Sequence, residues 1–488
     1  MDNVLVKAKK DNINGLREMN VEPYAYSYDK KDCASDVLEK GNSLKTGESS
    51  SKNVKFAGRV VALRKMGKAS FGHMKDFSGR VQFYIRMEDV GKKVYSVFRK
   101  IDVGDFIGLE GNVFKTKKGE ITINVSKLDM LSKSLMPLPE KFHGLKDTEV
   151  RYRQRYLDLL MNDDVLERFK VRSKIISLIR KYLDSKNFIE IETPVLQVLY
   201  GGTNAKPFKT HINAYDMDMY LRIAPELYLK RAVVGGFERV YEIARNFRNE
   251  GVDQTHNPEF TMIEWYEAYA DYNKVMDRAE ELYKFIAKEL LGGYKLEVGS
   301  KIVDLNKKWP RVSMKSSLKK YTEINIDALS DSDLKKLCSS NKVEIKGMGS
   351  RGQMIFELFD KIVTPKLINP VWIIDYPKEV SPLAKVHRKD DSLVERFECY
   401  VGGKEIGDGW TEIVNASEQR LRFENEQKAL RAGDDEAHPM DEDFLKAMEY
   451  GMPPLGGIGV GIDRLVMLFT NKWAIRDVIM FPTMKPKD

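Results

Sequence analysis

The residues able to do chemistry concentrate in one stretch, Arg239 to Tyr266, RVYEIARNFRNEGVDQTHNPEFTMIEWY. Two β-patterned runs, Val240 to Phe247 and Phe260 to Tyr266, flank a polar loop carrying Gly251, Asp253, Asn257 and Pro258, and together they read as a hairpin. Residues two apart on a strand share a face. Arg248 and Glu250 are therefore expected to point one way, and Phe260, Met262, Glu264 and Tyr266 to line one side of the returning strand. An arginine, carboxylates and aromatics on one face fit a small-molecule site, with a charged surface hairpin as the plainer alternative.

Two further patterns carry chemistry. In RFECYVGGKEIGDGWTEI, Gly402-Gly403 forms a two-residue turn that sets Val401 opposite Lys404, Tyr400 opposite Glu405, and Glu398 diagonal to Glu405. Two carboxylates roughly 7–8 Å apart on one face suit magnesium shared with substrate phosphates, and the sequence shows no cation-rich neighbour to neutralise them. Paired surface glutamates are the alternative. General acid–base work lacks a partnered nucleophile. In GGIGVGIDRLVMLFT, glycines run into a helix striped by Ile462, Leu465, Val466 and Phe469, with Arg464 in its first turn. Bare backbone and helix N–H groups favour a nucleotide phosphate; close helix-to-sheet packing is the alternative. Walker spacing and a βαβ unit are both missing. Arg248 and Arg464 thus offer phosphate contacts and Phe260 a cover for a base, while Glu226, Glu264 and Glu412 exceed what ATP requires and suit a cationic second substrate.

The elements that must position these residues follow from the chain as a whole. At 488 residues, 42% hydrophobic and 32% charged, it reads as a water-soluble chain of two or three domains. No apolar run reaches the ~18 residues needed to span a bilayer, so no membrane partner is expected. The start, MDNVLVKAKKDNING, fits neither a secretory signal nor a transit peptide, which points to the cytoplasm. Cys33, Cys338 and Cys399 are scattered and read as buried small residues, and six dispersed histidines argue against zinc. A net charge of +8 permits a polyanion partner.

Residues 1–52 read as a polar arm, with a short helix near Val4 to Met19 and a linker, KGNSLKTGESSSKN. Residues 53–135 show five strand-like runs separated by turns, as in a five-stranded OB-type β-barrel. Its first part interleaves Lys52, Lys55, Arg59, Arg64, Lys65, Lys68, Lys75 and Arg80 with Phe71, Phe77, Phe83 and Tyr84. Cations and stacking platforms suit single-stranded nucleic acid; barrel core and ordinary surface lysines are the alternative. Residues 136–150 form a Pro/Gly linker, and 151–488 an α+β domain with an antiparallel sheet and surrounding helices. Within it, Glu167 to Lys186 has helical spacing, FIEIETPVL is a short strand, LRIAPELYLKRAVV a strand leading to a helix, and about 300–370 a Lys-rich helical insertion.

RKMGKASF, KFHGLKDTEVRYRQRYLDL, IEIETPVL with GGTNAKPF, LRIAPELYLKR, RNFRNEG with HNPEFT, and GVGIDRLVMLF occur in the order in which the class II lysyl-tRNA synthetases carry them, and the chain resembles that family. Only the first fifty residues and the insertion are poorly covered. The resemblance implies activation of L-lysine with ATP, two or three Mg2+ ions, transfer to tRNA-Lys, and a homodimer formed through the helix before Pro194. It implies that Arg248 holds the lysine carboxylate and the α-phosphate, Glu250 reads adenine, His256 meets the distal phosphates, Phe260 and Arg464 sandwich the adenine, and Glu398 and Glu405 bind magnesium. Glu226 would take the α-ammonium, Glu412 and Tyr266 the ε-ammonium with Glu264 nearby, and Gly202 would shape the wall. In the barrel, Arg64, Phe71, Gln82 and Glu120 match anticodon-contacting positions.

Two positions depart from the family pattern. Asp408 and Trp410 stand where it usually has Asn and Phe or Tyr. Trp410 still offers an apolar, cation-binding wall, whereas Asp408 is expected to add negative charge and alter lysine affinity and its pH profile. Glu412 also has the opposite strand parity to Glu405, so Gly407 and Gly409 must bend or bulge the strand. Rival readings are a paralogue lysylating a protein, an aspartate- or asparagine-specific enzyme, and a non-catalytic nucleic-acid-binding regulator. The barrel motifs, the acidic pocket and the intact Arg248, Glu398, Glu405 and Arg464 speak against these in turn.

Overall fold

A computed structural model describes residues 2–139, 145–344, 349–431 and 439–486. The chain divides into two units, Met1–Gly144 and Leu145–Asp488. In the first, β1 (Ser49–Met66), β2 (Ala69–Lys75), β3 (Arg80–Arg86), β4 (Phe106–Lys115) and β5 (Ile121–Ser132) close into a barrel in the order β1-β2-β3-β5-β4, as the five strand-like runs predict. Alternation does the sorting: Met74, Val81, Phe83 and Ile85 turn into the core, while Phe71, His73, Gln82 and Tyr84 are left outside.

The helix expected near Val4 to Met19 is present, but the arm that carries it packs into the barrel core. Helix α1 (Asp2–Glu18) buries Leu16, and α2 (Ala34–Asn42) buries Ala34 and Val37 in the barrel's apolar cluster. Gly41 sits so close to the barrel that a Cβ would lie 2.4 Å from Ile121. The Gly/Ser/Lys-rich segment read as a linker holds the end of α2, a short turn over residues 43–48 and the start of β1. A few apolar residues on the inner faces anchor it despite its polar composition. A third helix, α3 (Met87–Arg99), absent from the sequence reading, adds Tyr95, Val97 and Phe98 to the core. Part of the expected Pro/Gly linker, residues 140–144, lies outside the described residues.

The second unit is built on a mixed sheet, nine-stranded among the described residues. Its strands are β6 (Ile189–Glu190), β7 (Arg239–Phe247), β8 (Glu259–Ala268), β9 (Arg311–Ser313), β10 (Val371–Pro377), β11 (Asp390–Val401), β12 (Lys404–Thr411) and β13 (Leu455–Gly461). They lie in the order β9-β10-β11-β12-β13-β8-β7-β6, with Val386–His387 paired beside β11. The pairs are antiparallel except β9 with β10 and β7 with β6. Helices α4 (Asp163–Ser185) and α6 (Tyr272–Leu291) cover one face, burying Ile179, Leu183, Val275 and Leu282 against Tyr241, Ile263, Trp265, Phe397, Ile458 and Val460. Period two then turns Glu264, Tyr266, Gly457 and Gly459 to the other face. That face is bordered by α5 (Glu226–Val234) and α7 (Ile462–Phe469).

The segment read as a helical insertion holds Met314–Thr322, Asp331–Ser340 and Arg351–Ile362, with residues 345–348 outside the described ones. It also contributes β9 to the main sheet, and its apolar cluster packs on Ile373 and Tyr400. Cys338 and Cys399 are buried as expected, Cys33 less so. Among the described residues no helix is long and apolar enough to cross a membrane.

Candidate active site

The floor of the cavity on the open face of the sheet is glycine. β13 runs between β8 and β12, with Gly457 flanked by Tyr266 and Trp410 and Gly459 by Glu264 and Asp408. A Cβ on Gly457 would lie 2.4 Å from the Tyr266 ring and 2.6 Å from Glu412 Oε1, and one on Gly459 would lie 2.8 Å from Met262. The missing side chains make room for acids and aromatics on either side. The glycines run directly into α7 at Ile462, as read, but the backbone of Gly456 to Gly459 is laddered between two strands. The first turn of α7 also carries Asp463, which accepts from the Thr261 backbone N–H at 2.7 Å and pairs with Arg172 at 2.5 Å.

β12 contains the bulge that strand parity demanded. Val401 faces Lys404 and Tyr400 faces Glu405, but Cys399 then faces Gly407 and Glu398 faces Asp408. Ile406 is the extra residue, turned into the core. It reverses the alternation, so Glu405, Asp408, Trp410 and Glu412 all line the cavity.

At one end Glu226, Glu264, Tyr266, Trp410 and Glu412 converge. Glu226 opens α5 and Lys230 follows one turn later, its Nζ 2.5 Å from Glu226 Oε1 and 2.5 Å from Glu412 Oε2. The Trp410 indole N–H donates to that same Glu412 oxygen at 2.7 Å, and the Tyr266 hydroxyl donates to Glu264 at 3.1 Å. Glu412 Oε1 is buried without a hydrogen-bond partner. Burial, reinforced by the charge of Glu226, pushes the Glu264 and Glu412 carboxyls up to about 8. Burial also works against the Lys230 ammonium, but Glu226 and Glu412 outweigh it and hold its pKa above the ordinary value. Gly202, at φ +94°, closes the wall where a Cβ would lie 2.8 Å from the Glu226 Cβ.

The other end gathers the nucleotide candidates. Arg248 and Glu250 are not on a strand, since β7 stops at Phe247 and both begin the loop. The Arg248 guanidinium lies 5.0 Å from the Phe260 ring centroid, and its buried Nε has no partner. Burial lowers its pKa. Glu250 is exposed and accepts from the Lys206 backbone N–H at 3.3 Å. His256 holds Asp253 at 2.8 Å, and Arg464 is ion-paired to Glu405, the charge that chiefly raises its pKa. Arg248, Glu250, His256, Phe260, Glu405 and Arg464 line one cavity with the acidic cluster.

Glu398 and Glu405 do have cationic neighbours, contrary to the reading from sequence. Arg396 precedes Glu398 by two residues on β11 and shares its face; Nη2 lies 2.7 Å from Glu398, while Nε and Nη2 each hold Asp408 at 2.9 Å. Arg396 thus holds both oxygens of Asp408 while sharing its one positive charge with Glu398. The Tyr400 hydroxyl also donates to Glu398, which is only 5% exposed, does not line the cavity, and has its carboxyl pushed up to about 7 by burial. Among the described residues no group of three or more His, Cys, Asp or Glu side chains could hold a metal. The Glu398 and Glu405 oxygens are nonetheless the hard donors that magnesium takes when phosphate oxygens complete its shell, so the pair fits the ion only together with a phosphate ligand.

On the barrel, Arg64 pairs with Phe71 across β1 and β2, Phe71 with Tyr84, and His73 with Gln82 across β2 and β3. Phe71 and Tyr84 stack with centroids 4.4 Å apart. Gln82 donates to Glu120 at 2.7 Å and accepts from the Thr122 hydroxyl at 2.8 Å, and His73 Nε2 lies 2.8 Å from Glu120. All four expected residues share one outer face. His73 was missed, although its spacing of two from Phe71 puts it there. Lys230, four residues after Glu226 on a helix, and Arg396, two before Glu398 on a strand, were legible by the same periodicities.

Over residues 147–485 the chain matches the family described as tRNA synthetases class II (D, K and N), and over 54–131 the OB-fold nucleic acid binding domain. It is 48% identical to the lysine–tRNA ligase of Pelotomaculum thermopropionicum, over 100% of this chain and 96% of that one. Identity is 47% to the lysine–tRNA ligase of Carboxydothermus hydrogenoformans, over 100% of this chain and 99% of that one. To the lysine–tRNA ligase of Thermotoga maritima it is 49%, over 97% and 95%.

Proposed function

The chain belongs to the class II tRNA synthetases (D, K and N), and from that membership we propose that it activates L-lysine with ATP and transfers the lysine to the 3′ end of tRNA-Lys. The observation that carries the choice of amino acid is Glu412 Oε1, a buried acceptor without a partner at the end of a cavity lined by Glu226 and Glu264. An ammonium is the group that satisfies it. A neutral side chain there would leave that buried acceptor unsatisfied, at a cost of about 1–3 kcal/mol, and an aspartate would meet like charge.

In activation the lysine carboxylate attacks the α-phosphorus of ATP, and pyrophosphate leaves. This requires positioning and charge neutralisation, not an enzyme nucleophile. Arg248, in contact with Phe260, meets the carboxylate and the α-phosphate together and neutralises the charge that builds between them. Phe260 covers one face of the adenine, and Arg464 covers the other once it has left Glu405. Glu250, exposed at the loop, accepts from the adenine amino group, and His256 reaches the distal phosphates. Glu226 receives the α-ammonium, while Glu412, with Tyr266 and the Trp410 wall, receives the ε-ammonium. Two or three magnesium ions arriving with ATP would be held by Glu398 and Glu405 and would supply further neutralisation of the phosphates. A terminal ribose hydroxyl of the tRNA then attacks the adenylate carbonyl and releases AMP.

On the barrel, Phe71 stacks on an anticodon base, with Arg64, Gln82 and Glu120 contacting its neighbours. Ile189, Val195, Leu196, Val198 and Leu199 are exposed apolar residues following α4 and fit a homodimer face, expected to give a dimer mass in sedimentation. The site of action is the cytoplasm. ATP–pyrophosphate exchange with each amino acid in turn tests the activity: lysine gives exchange, and its failure to do so overturns the reading.

A further inference from the structure

Lysine recognition as described uses Glu226, Glu264 and Glu412, yet two of these three acids already hold an ammonium from the protein itself. Lys230 is 1% exposed, and its Nζ touches Glu226 Oε1 and Glu412 Oε2 at 2.5 Å each. The same Nζ lies 5.7 Å from the centroid of the Tyr266 ring. The groups that face it are Glu226 on its own helix, Glu412 beyond β12, Glu264 and Tyr266 on β8, and, acting on Glu226 at longer range, Asp408. Asp408 is already taken up by Arg396.

We propose that Lys230 is a specificity-determining positioning residue, an internal ammonium that occupies one oxygen each of Glu226 and Glu412 and leaves Glu412 Oε1 as the acceptor for a substrate ammonium. The assignment rests on the reading of this cavity as a lysine pocket. Two observations support it. The first is geometric. Lys230 and the Trp410 indole both approach Glu412 Oε2, so the carboxylate is clamped with Oε1 over the floor glycine Gly457. That oxygen is the one without a partner. The second is charge. Lys230 touches both Glu226 and Glu412, and its charge pulls down the pKa values that burial raises on Glu226, Glu264 and Glu412. Without Lys230 these carboxyls would be raised further and would hold their protons to higher pH. Lys230 is thus not a rival for the substrate's place. It is the fixed cation that works against the burial of Glu226, Glu264 and Glu412 and so favours the ionised forms that a substrate ammonium binds.

The test compares Lys230→Met, similar in length and uncharged, with Lys230→Arg, which keeps the charge and changes the shape. Lysine-dependent pyrophosphate exchange is measured from about pH 6 to 9, with ATP affinity measured separately by calorimetry. Lys230→Met is expected to raise KM for lysine about tenfold or more at neutral pH and to move the acid limb of kcat/KM for lysine upward by about one pH unit, with ATP affinity within about twofold. Lys230→Arg is expected to raise KM through misplacement of Glu226 and Glu412 but to leave the acid limb where the wild type has it. A purely structural lysine would lower the melting temperature and the active fraction without moving that limb. An unmoved limb in a folded Lys230→Met overturns the proposal. If Lys230→Met fails to bind ATP and so has not folded, Lys230→Arg decides: a limb at the wild-type position supports the proposal, and a shifted limb overturns it. Absence of lysine exchange in the wild type would instead remove the activity reading, so the two failures are distinct.

Discussion

The outer face of the barrel and the floor of the cavity are both made of every second residue on neighbouring strands, yet they hold their charges differently. On the barrel, Glu120 is 49% exposed and His73 22%, so what His73, Gln82 and Thr122 leave open faces solvent. In the cavity, Glu412 and Lys230 are each 1% exposed, and Glu412 Oε1 and Arg248 Nε are shut away from solvent without a partner. They therefore stand out as places for a ligand. A polar group left open on a wet surface marks nothing; the same group in a dry cavity marks a missing partner.

That contrast fixes the order of expected effects. The largest is at Glu412: Glu412→Gln breaks a buried ion pair at a cost of about 3–5 kcal/mol, so kcat/KM for lysine in pyrophosphate exchange should fall by roughly a hundredfold or more. Retention within about tenfold would place the site nearer to the barrel's wet regime than to a dry one. Next is Gly457→Ala, whose Cβ would lie 2.4 Å from Tyr266 and 2.6 Å from Glu412. Overpacking of this kind costs about 1–3 kcal/mol, expected as a raised KM for lysine with ATP affinity preserved. Phe71→Ala removes a stacking platform worth about 1–3 kcal/mol, and should raise KM for tRNA in the charging assay while leaving pyrophosphate exchange untouched. If exchange falls too, the two regions are not separable in this way.

The smallest effect is expected at Asp408, where the comparison is sharpest because the residue is acidic and yet held by a guanidinium. Both its oxygens are held by Arg396, so Asp408→Asn should change lysine affinity only by the ~0.5–1.5 kcal/mol of a hydrogen bond. Calorimetry across about pH 6 to 9 also reads the pocket itself. Glu264 and Glu412 are pushed up to about 8 in the empty site, and an ammonium binds their ionised forms. Lysine affinity in the wild type should therefore climb as pH rises toward about 8, with protons released on binding near neutrality. The Asn variant should follow the same curve. A displaced curve would mean that the Arg396 fork does not neutralise Asp408.

Much of this was legible in the residues. The five strand runs of the barrel, the β7–β8 hairpin and the shared face of Phe260, Glu264 and Tyr266 follow from period two and turn residues, which are local properties. The bulge near Gly407 was demanded by the parity of Glu405 and Glu412, although its placement at Ile406 was not. Less legible were the packing of α1 on the barrel core and the whole of α2, whose polar composition hides the few residues that anchor them, and which acids Arg396 and Lys230 reach. Periodicity places those two on the right faces, but it does not say which of several acids each will reach.

Residue type and spacing by themselves determined the strands, the turn at Gly402-Gly403, the membership of each face, and the family, because these depend on neighbours along the chain. Only the tertiary structure decided which charges are cancelled and which are left open. β13 brings its glycines between β8 and β12, α5 sets Lys230 against Glu412 from a distant part of the chain, and Arg396 closes on Asp408. Electrostatic pairing depends on distance and desolvation across elements far apart in sequence, so the single unpaired oxygen on Glu412 exists only once the sheet is assembled.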